Sequence, residues 1–244
     1  MMTSQPKNDA LVIIPTYNEK HNVRKIINKV VEFEVDILII DDSSPDGTAD
    51  IVRELKNEYE QRVFLIVREE KLGLGTAYIK GFKWALDRNY QYIMEMDADL
   101  SHDPDDVPRL IEKAKEGNEL VVGSRYCKGV NVVNWPLKRL IISYLASRYT
   151  RYITRIPMED PTSGFKCFQR EVLEEISLDN VHSHGYAFQI EMNYRAWKKG
   201  FEIQEIPIIF TERSEGKSKM SRDIVYEAAF MVWKLVILNM FGRL

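Results

Sequence analysis

Short runs of Val, Ile and Leu alternate with stretches of helical period through the first half of the chain, the pattern of strands joined by helical crossovers into a mainly parallel sheet. The runs Ala10 to Ile14, Asp36 to Ile40, Arg62 to Val67, Gln91 to Met96 and Glu119 to Val122 predict strands. Helices are expected after Glu19, Gly47, Gly75 and Pro104. Right-handed crossovers bring the carboxyl ends of parallel strands to one edge, and ligands bind there. Polar segments sit where that rule needs them: Pro15-Thr16-Tyr17-Asn18-Glu19 after the first run, Asp41 through Gly47 after the second, Asp97-Ala98-Asp99 after the fourth. The acidic groups are therefore expected to converge.

Beyond about residue 125 the pattern changes. Pro136 to Ile156 sets Leu140, Ile141, Ile142, Tyr144, Leu145, Tyr149, Tyr152 and Ile153 among Lys138, Arg139, Arg148, Arg151 and Arg155. A basic amphipathic helix of this kind lies on anionic lipid; the competing reading is a core-facing helix with a solvated face. A Gly-centred segment follows at Pro161 to Phe168, then a helix around Gln189 to Lys199 and a strand from Ile203 to Phe210. Thr211 to Lys219 is charged, lacks a hydrophobic period and reads as a mobile loop. The tail from Ile224 to Phe241 is more apolar, yet Glu227, Lys234 and Asn239 interrupt it near the lower length limit for crossing a bilayer. Interfacial binding is expected there, not a span.

A 45% hydrophobic content over 244 residues supports one α/β domain with a real core. With 34 Lys+Arg against 37 Asp+Glu the net charge is -3, which points away from nucleic acid as a partner. Cys127 and Cys167 lack metal-ligand spacing, which fits plain structural thiols in a reducing compartment. The first apolar run is too short for a signal peptide, so a cytoplasmic location is expected.

Asp97 and Asp99 end a buried run and bracket one small residue. Strand side chains alternate faces, so the two carboxylates converge on one ligand where the backbone bends, and Ala98 leaves room for it. Such a pair suits a divalent cation carrying a diphosphate, although carboxylates also shape turns and caps. The adjacent carboxylates of Asp41 and Asp42 repel each other unless ribose hydroxyls, base nitrogens or a cation relieve them. Asp46 reads equally well as turn and cap chemistry. Lys71-Leu72-Gly73-Leu74-Gly75-Thr76 allows close backbone approach before a helix and could offer N–H groups to phosphate. It is not a Walker motif, and no Gly-x-Gly-x-x-Gly follows the first strand, which argues against kinase, GTPase and dehydrogenase readings. A receiver domain with paired aspartates would leave the second half of the chain unexplained. His182 and His184, with Glu191 near in sequence, are weighed as a second metal site and not adopted.

Together with Gly123-Ser124-Arg125-Tyr126, Leu137-Lys138-Arg139, Met96 through His102, Gly185-Tyr186-Ala187-Phe188-Gln189 and the 213–219 loop, these motifs resemble the family 2 glycosyltransferases with a GT-A fold, in particular the dolichol-phosphate and polyprenyl-phosphate mannose synthases. The motifs span nearly the whole chain. The resemblance implies a single GT-A domain over 1–244: a nucleotide-sugar-binding half to about residue 125, an acceptor half and mobile loop over about 126–222, and a membrane-interfacial helix over about 223–244. It implies that Pro15, Tyr17, Glu19, Ile40 and Asp42 contact the GDP part of GDP-mannose, with Asp97, Ala98 and Asp99 at the diphosphate and a bound Mg²⁺ or Mn²⁺. Ser101 stands where some relatives carry a glutamine, and the resemblance implies it as a further metal neighbour. Arg213 and Lys219 match a positively charged loop that closes on the donor, and Arg125, Arg139 and Ser143 match positions near the acceptor phosphate.

An incoming polyprenyl (dolichyl-type) phosphate is already anionic and needs electrostatic help, not a general base. The expected reaction is one in-line displacement with inversion, with Asp99, Arg125, Arg139 and Lys219 as its central groups. The alternatives are hexosyl transfer from a UDP-sugar such as UDP-glucose to the same lipid class, and a silent nucleotide-binding subunit that recruits a membrane partner. Relatives with added transmembrane helices differ from this chain, so anchoring is expected from its own amphipathic helices, a small membrane subunit or the lipid itself.

Overall fold

The chain's first two strands are buried on both faces, which is why they read as unbroken apolar runs and not as alternating ones. The computed structural model describes residues 6–181, 183, 185–212, 222–242 and 244, with side chains for all of these except 222–228. Strands β1 (Ala10–Thr16), β2 (Asp36–Asp41), β3 (Val63–Val67), β4 (Tyr92–Glu95), β5 (Leu120–Ser124), β7 (Lys166–Gln169) and β8 (Ile203–Pro207) form a seven-stranded sheet in the order β3-β2-β1-β4-β7-β5-β8. Every pairing is parallel except those made by β7, which runs against both β4 and β5. The short strands β6 (Val132–Val133) and β9 (Phe210–Thr211) pair separately.

Helices α1 (Val23–Val30), α2 (Thr48–Glu58), α3 (Leu74–Leu86) and α4 (Val107–Lys115) follow the first four strands, as the periodicity predicts. Alternate residues of β1 feed different layers. Ala10, Val12 and Ile14 pack toward Val23, Ile26 and Val107 on one side, while Leu11 and Ile13 join Leu38, Ile40, Phe82 and Phe188 on the other. Gly81 of α3 lies so close to the sheet that an added Cβ would come within 2.7 Å of Ile13 Cγ2 and 3.1 Å of Ile40 Cδ1.

The second half departs from the expected pattern in three places. The Gly-centred segment ends in the antiparallel strand β7, and the run 203–210 breaks into β8 and β9. Its third departure is α5 (Leu137–Thr154), whose inward face carries Ser147, Thr150 and Thr154, while Leu137, Ile141, Leu145, Tyr149 and Tyr152 point outward. The helix thus has a buried face, on which Ile153 packs against α7 and α8 residues, and an exposed face that carries large apolar groups. After α6 (Arg170–Glu175), α7 (Gly185–Lys198) runs almost entirely buried beneath α8 (Arg222–Met240), which also packs on α5. Among the described residues no helix is long and apolar enough to cross a membrane.

His102 is a buried joint between the halves, stacked on Phe165 at 4.9 Å and edge-on to Phe210 at 5.1 Å, with Nδ1 lacking a hydrogen-bond partner. Burial pushes its pKa down to about 4, against the pull of Asp99 and Asp160.

Two stability predictions follow from this packing. Gly81→Ala should lower the thermal midpoint, because overpacking costs about 1–3 kcal/mol while the helix propensity gained is at most about 1 kcal/mol; an unchanged or raised midpoint would contradict it. His102 stays neutral in the folded chain between pH 6.5 and about 4 while the unfolded chain takes up a proton. Its contribution is therefore complete above pH 6.5 and declines, by on the order of 3 kcal/mol in the limit, as pH falls. His102→Phe should flatten the fall of the urea midpoint across that window, and a slope equal to wild type would sink the assignment.

Candidate active site

The carboxyl ends of β1, β2 and β4 meet in one cleft of about 580 Å³, as parallel topology requires. Pro15, Tyr17, Glu19 and Asp42 line one end, Asp97, Ala98 and Asp99 form its floor, and Thr162, Gly164, Tyr186 and Gln189 form the far wall. Seven of the sequence-predicted residues thus share a single cavity. Ile40 does not: its side chain is wholly buried in the core against α3 and takes no part in lining the cleft.

The loops after β1 and β2 are tied to one another. Asn18 N–H donates to Ser44 Oγ at 2.9 Å, Glu19 N–H to Thr48 Oγ1 at 3.0 Å and Lys20 N–H to Asp46 Oδ2 at 3.0 Å. Asp46 also accepts from the Thr48 backbone and hydroxyl, so its turn reading holds, while the N-cap of α2 is Gly47 and has no side-chain cap. The Asp41–Asp42 repulsion is relieved from inside the protein. Asp41 accepts from Thr16 Oγ1 at 2.9 Å and from Ser44 N–H at 2.8 Å, while Asp42 is ion-paired with the buried Arg68. Arg68 further donates to Thr76 Oγ1 at 2.7 Å and to the Gly73 carbonyl at 2.9 Å, and Gly73 N–H donates to Asp42 Oδ2 at 3.2 Å. The glycine loop therefore spends that amide on Asp42. Lys71 contributes its ammonium instead, 3.9 Å above the Tyr17 ring.

On the floor, Ser101 N–H donates to Asp99 Oδ1 at 3.1 Å, and Leu100 adopts a positive φ of 60°, which supplies the bend that aims the motif. Ser101 is buried and does not line the cleft, so its observed role is to hold Asp99 by backbone. Two carboxylates beside a backbone bend suit Mg²⁺ or Mn²⁺, which take one or two protein carboxylates and complete their shell with water and phosphate oxygens. Among the described residues no third acid, His or Cys joins them.

Arg125 departs from the sequence expectation. Its guanidinium grips Asp160 through Nε at 2.7 Å and Nη2 at 2.6 Å, and Nη2 also donates to Thr162 Oγ1 at 2.7 Å. Burial alone would raise the Asp160 carboxyl, but the Arg125 charge and hydrogen bonds hold it below its ordinary value. Arg125 is a positioning residue for the 160–164 wall, and it does not line the cleft. Arg139 stacks over Trp135 at 4.2 Å and donates to Glu212 Oε1 at 2.6 Å, and Ser143 Oγ accepts from Tyr126 O–H at 2.8 Å. These two lie outside the cleft lining as well. Arg213, Lys219, His182 and His184 fall outside the described residues.

Sequence reasoning overlooked Arg68, Asp160 and Lys166, whereas Gln189, read from the sequence as shaping the acceptor pocket or the domain seam, lines the cleft. Arg68 could have been found, since it directly follows the carboxyl end of β3 on the ligand edge. Asp160 and Lys166 belong to a turn and an antiparallel strand whose place next to β4 no local pattern announces.

The Glycosyl transferase family 2 pattern matches residues 11–177. The chain is 45% identical over 232 residues to a polyprenol monophosphomannose synthase of Mycolicibacterium smegmatis, covering 94% of this chain and 88% of the relative. It is 42% identical over 224 residues to an undecaprenyl-phosphate mannosyltransferase of Micrococcus luteus, covering 91% of each. Among solved structures, a glucosyl-3-phosphoglycerate synthase from Mycobacterium tuberculosis, crystallised with Mn²⁺ and UDP, superposes with a TM-score of 0.64 at 17% identity, over 96% of this chain and 80% of that one. A mannosyl-3-phosphoglycerate synthase from Rubrobacter xylanophilus gives 0.64 at 17%, over 96% and 75%. These likenesses carry the fold, the α/β GT-A arrangement. By family pattern and by relatives matched along most of its length, the chain belongs to glycosyl transferase family 2.

Proposed function

We propose that this glycosyltransferase moves mannose from GDP-mannose to a polyprenyl phosphate, with inversion and with a divalent cation, at a membrane surface. The observation that carries the reading is the single cleft in which the Asp97–Asp99 floor faces the Tyr17–Asp42 end, together with two relatives named for mannosyl transfer to polyprenyl carriers. A divalent cation at Asp97 and Asp99 would neutralise charge on the departing diphosphate. The chain's own groups do the rest. Tyr17 and Asp42, the latter braced by Arg68, receive the nucleoside, and Lys71 borders the same end. The acceptor's phosphate oxygen is already a nucleophile at neutral pH, so no general base is required. Arg139 and Ser143 are assigned to that phosphate, which exchanges with Glu212 at the Arg139 fork. Arg213 and Lys219 are assigned to the donor's phosphates.

Support for work at a membrane comes from the outward faces of α5 and α8. Leu137, Ile141, Leu145, Tyr149 and Tyr152 lie beside Phe230, Trp233, Ile237, Met240 and Phe241, and Trp233 Nε1 donates to Tyr149 O–H at 2.9 Å across the seam. Tyr152 is 83% exposed and Met240 77%. Lys138, Arg139, Arg148 and Arg151 on α5 and Lys234 on α8 are unopposed by any carboxylate within α5 or residues 229–240. Glu212 and Glu159 pair with Arg139 and Arg151, leaving Lys138, Arg148 and Lys234 without an ion pair among the described residues. Apolar and aromatic groups ringed by cations suit an anionic bilayer.

Incubation with labelled GDP-mannose or UDP-glucose and a short polyprenyl phosphate, followed by lipid extraction, is expected to yield labelled lipid from GDP-mannose alone. EDTA, or Asp97→Ala with Asp99→Ala, should cut the rate by at least about 100-fold. Preference for UDP-glucose would reassign the donor, and GDP binding without any transfer would favour a silent subunit. In flotation assays the protein is expected to rise with phosphatidylglycerol vesicles and less with neutral ones. Leu145→Glu and Tyr152→Glu, both at exposed sites, should abolish this without loss of GDP binding; flotation indifferent to both substitutions would count against the face.

A further inference from the structure

Behind the cleft floor lies a buried polar cluster that neither the nucleotide nor the diphosphate reading uses. Lys166 of β7 and Glu95 of β4 are both fully buried, with Nζ 3.9 Å from Oε2. Lys166 Nζ donates to the Gln189 backbone carbonyl at 3.2 Å and to the Gln189 side-chain oxygen. Gln189 is 2% exposed, yet its side chain reaches the cleft wall beside Thr162 and Gly164. The two ends of an amide are alike in shape, and a neighbour must decide which is which. An ammonium has donors and no acceptor, so Oε1 faces Lys166 and Nε2 points the other way. That Nε2 stands near Glu95, whose carboxyl is raised above its ordinary value by burial against the smaller pull of Lys166 and Gln189, but it makes no aligned hydrogen bond with any described residue.

Gly164 stands against this amide with no side chain of its own. A Cβ there would sit 3.3 Å from Gln189 Nε2 and 3.8 Å from Asp97 Oδ2, so the missing side chain leaves a gap bordered by a donor and by the floor. A buried N–H without a partner costs about 1–3 kcal/mol, which an incoming acceptor oxygen recovers. With the nucleoside at Tyr17 and Asp42 and the diphosphate at Asp97 to Asp99, the part of the donor that reaches this wall is the sugar.

We propose that Gln189 Nε2 donates a hydrogen bond to a hydroxyl oxygen of the donor's sugar, and that Lys166 is the positioning residue that fixes the amide in this orientation. The proposal rests on the nucleotide-sugar reading above and adds the residue that senses which sugar is present. Burial pulls the Lys166 pKa down to about 8 and Glu95 opposes the fall, so the ammonium is retained at neutral pH.

Calorimetry in Mn²⁺ with GDP, GDP-mannose, UDP and UDP-glucose tests it on wild type, Gln189→Met and Lys166→Met. Whichever nucleotide wild type prefers, both variants should bind the bare nucleotide within about twofold of wild type. The matching nucleotide sugar should weaken about tenfold, the equivalent of about 1.4 kcal/mol. Of a set of monodeoxy sugar analogues, one should lose affinity in wild type and lose none further in Gln189→Met, as expected for a coupled pair. Equal weakening of nucleotide and nucleotide sugar would move Gln189 to the diphosphate or to general packing and overturn the proposal. So would an unchanged nucleotide-sugar affinity in Gln189→Met, the variant that stays informative if Lys166→Met does not fold. Wild type binding nucleotides but gaining nothing from any sugar overturns it as well, whereas wild type binding no nucleotide removes the donor reading itself.

Discussion

Bringing the carboxyl ends of parallel strands to one sheet edge concentrates carboxylates there, and much of the chain's architecture answers that crowding. Buried carboxylates are stable as anions only when hydrogen bonds or a cation replace the water they lose. Asp41 receives the Thr16 hydroxyl and the Ser44 amide, Asp42 receives Arg68 and Asp160 receives a bidentate Arg125, while Glu95, whose carboxyl is raised above its ordinary value by burial, lies beside Lys166. Each of these partners comes from a different strand or loop, so neutralising the charge also fastens the loops around the cleft. Removing one partner would leave a buried ion stranded, a loss of about 3–5 kcal/mol in comparable pairs.

The same accounting separates structural cations from those free to meet substrate. Arg68, Arg125 and Lys166 are buried and engaged by the protein's own acids, so their charges shape the walls of the cleft more than its contents. Arg139 is different in kind: a stacked, mostly buried guanidinium whose carboxylate partner, Glu212, is itself partly exposed and follows β9. An exchangeable partner of that sort suits a site where an anion arrives and leaves.

α5 inverts the usual helix. Small hydroxyl residues face inward beside Ile153, where Thr154 satisfies itself on the Thr150 carbonyl at 2.7 Å, and Leu137, Ile141, Tyr144, Leu145, Tyr149 and Tyr152 face out. An arrangement of this type costs free energy in water, since the exposed apolar area stays hydrated. It becomes favourable against a nonaqueous phase. α8 packs against it, and Trp233 of α8 donates to the Tyr149 hydroxyl between two exposed aromatic groups.

The parallel-sheet half was legible from local pattern alone, because strands buried on both faces are written as continuous Val and Ile runs and because topology then sends every following polar segment to the same edge. Pro15, Tyr17, Glu19, Asp42, Asp97, Ala98 and Asp99 could be grouped on that ground, and they share the cleft. Periodicity also located α5, but an amphipathic pattern defines two faces without saying which meets the core. Tertiary structure settled that point, and it settled which cation answers which acid: Arg68 reaches Asp42 across 26 positions and Arg125 reaches Asp160 across 35. Pairings at such distances are set by strand order and by an antiparallel strand inserted between β4 and β5, and side-chain chemistry read along the chain carries no information about either.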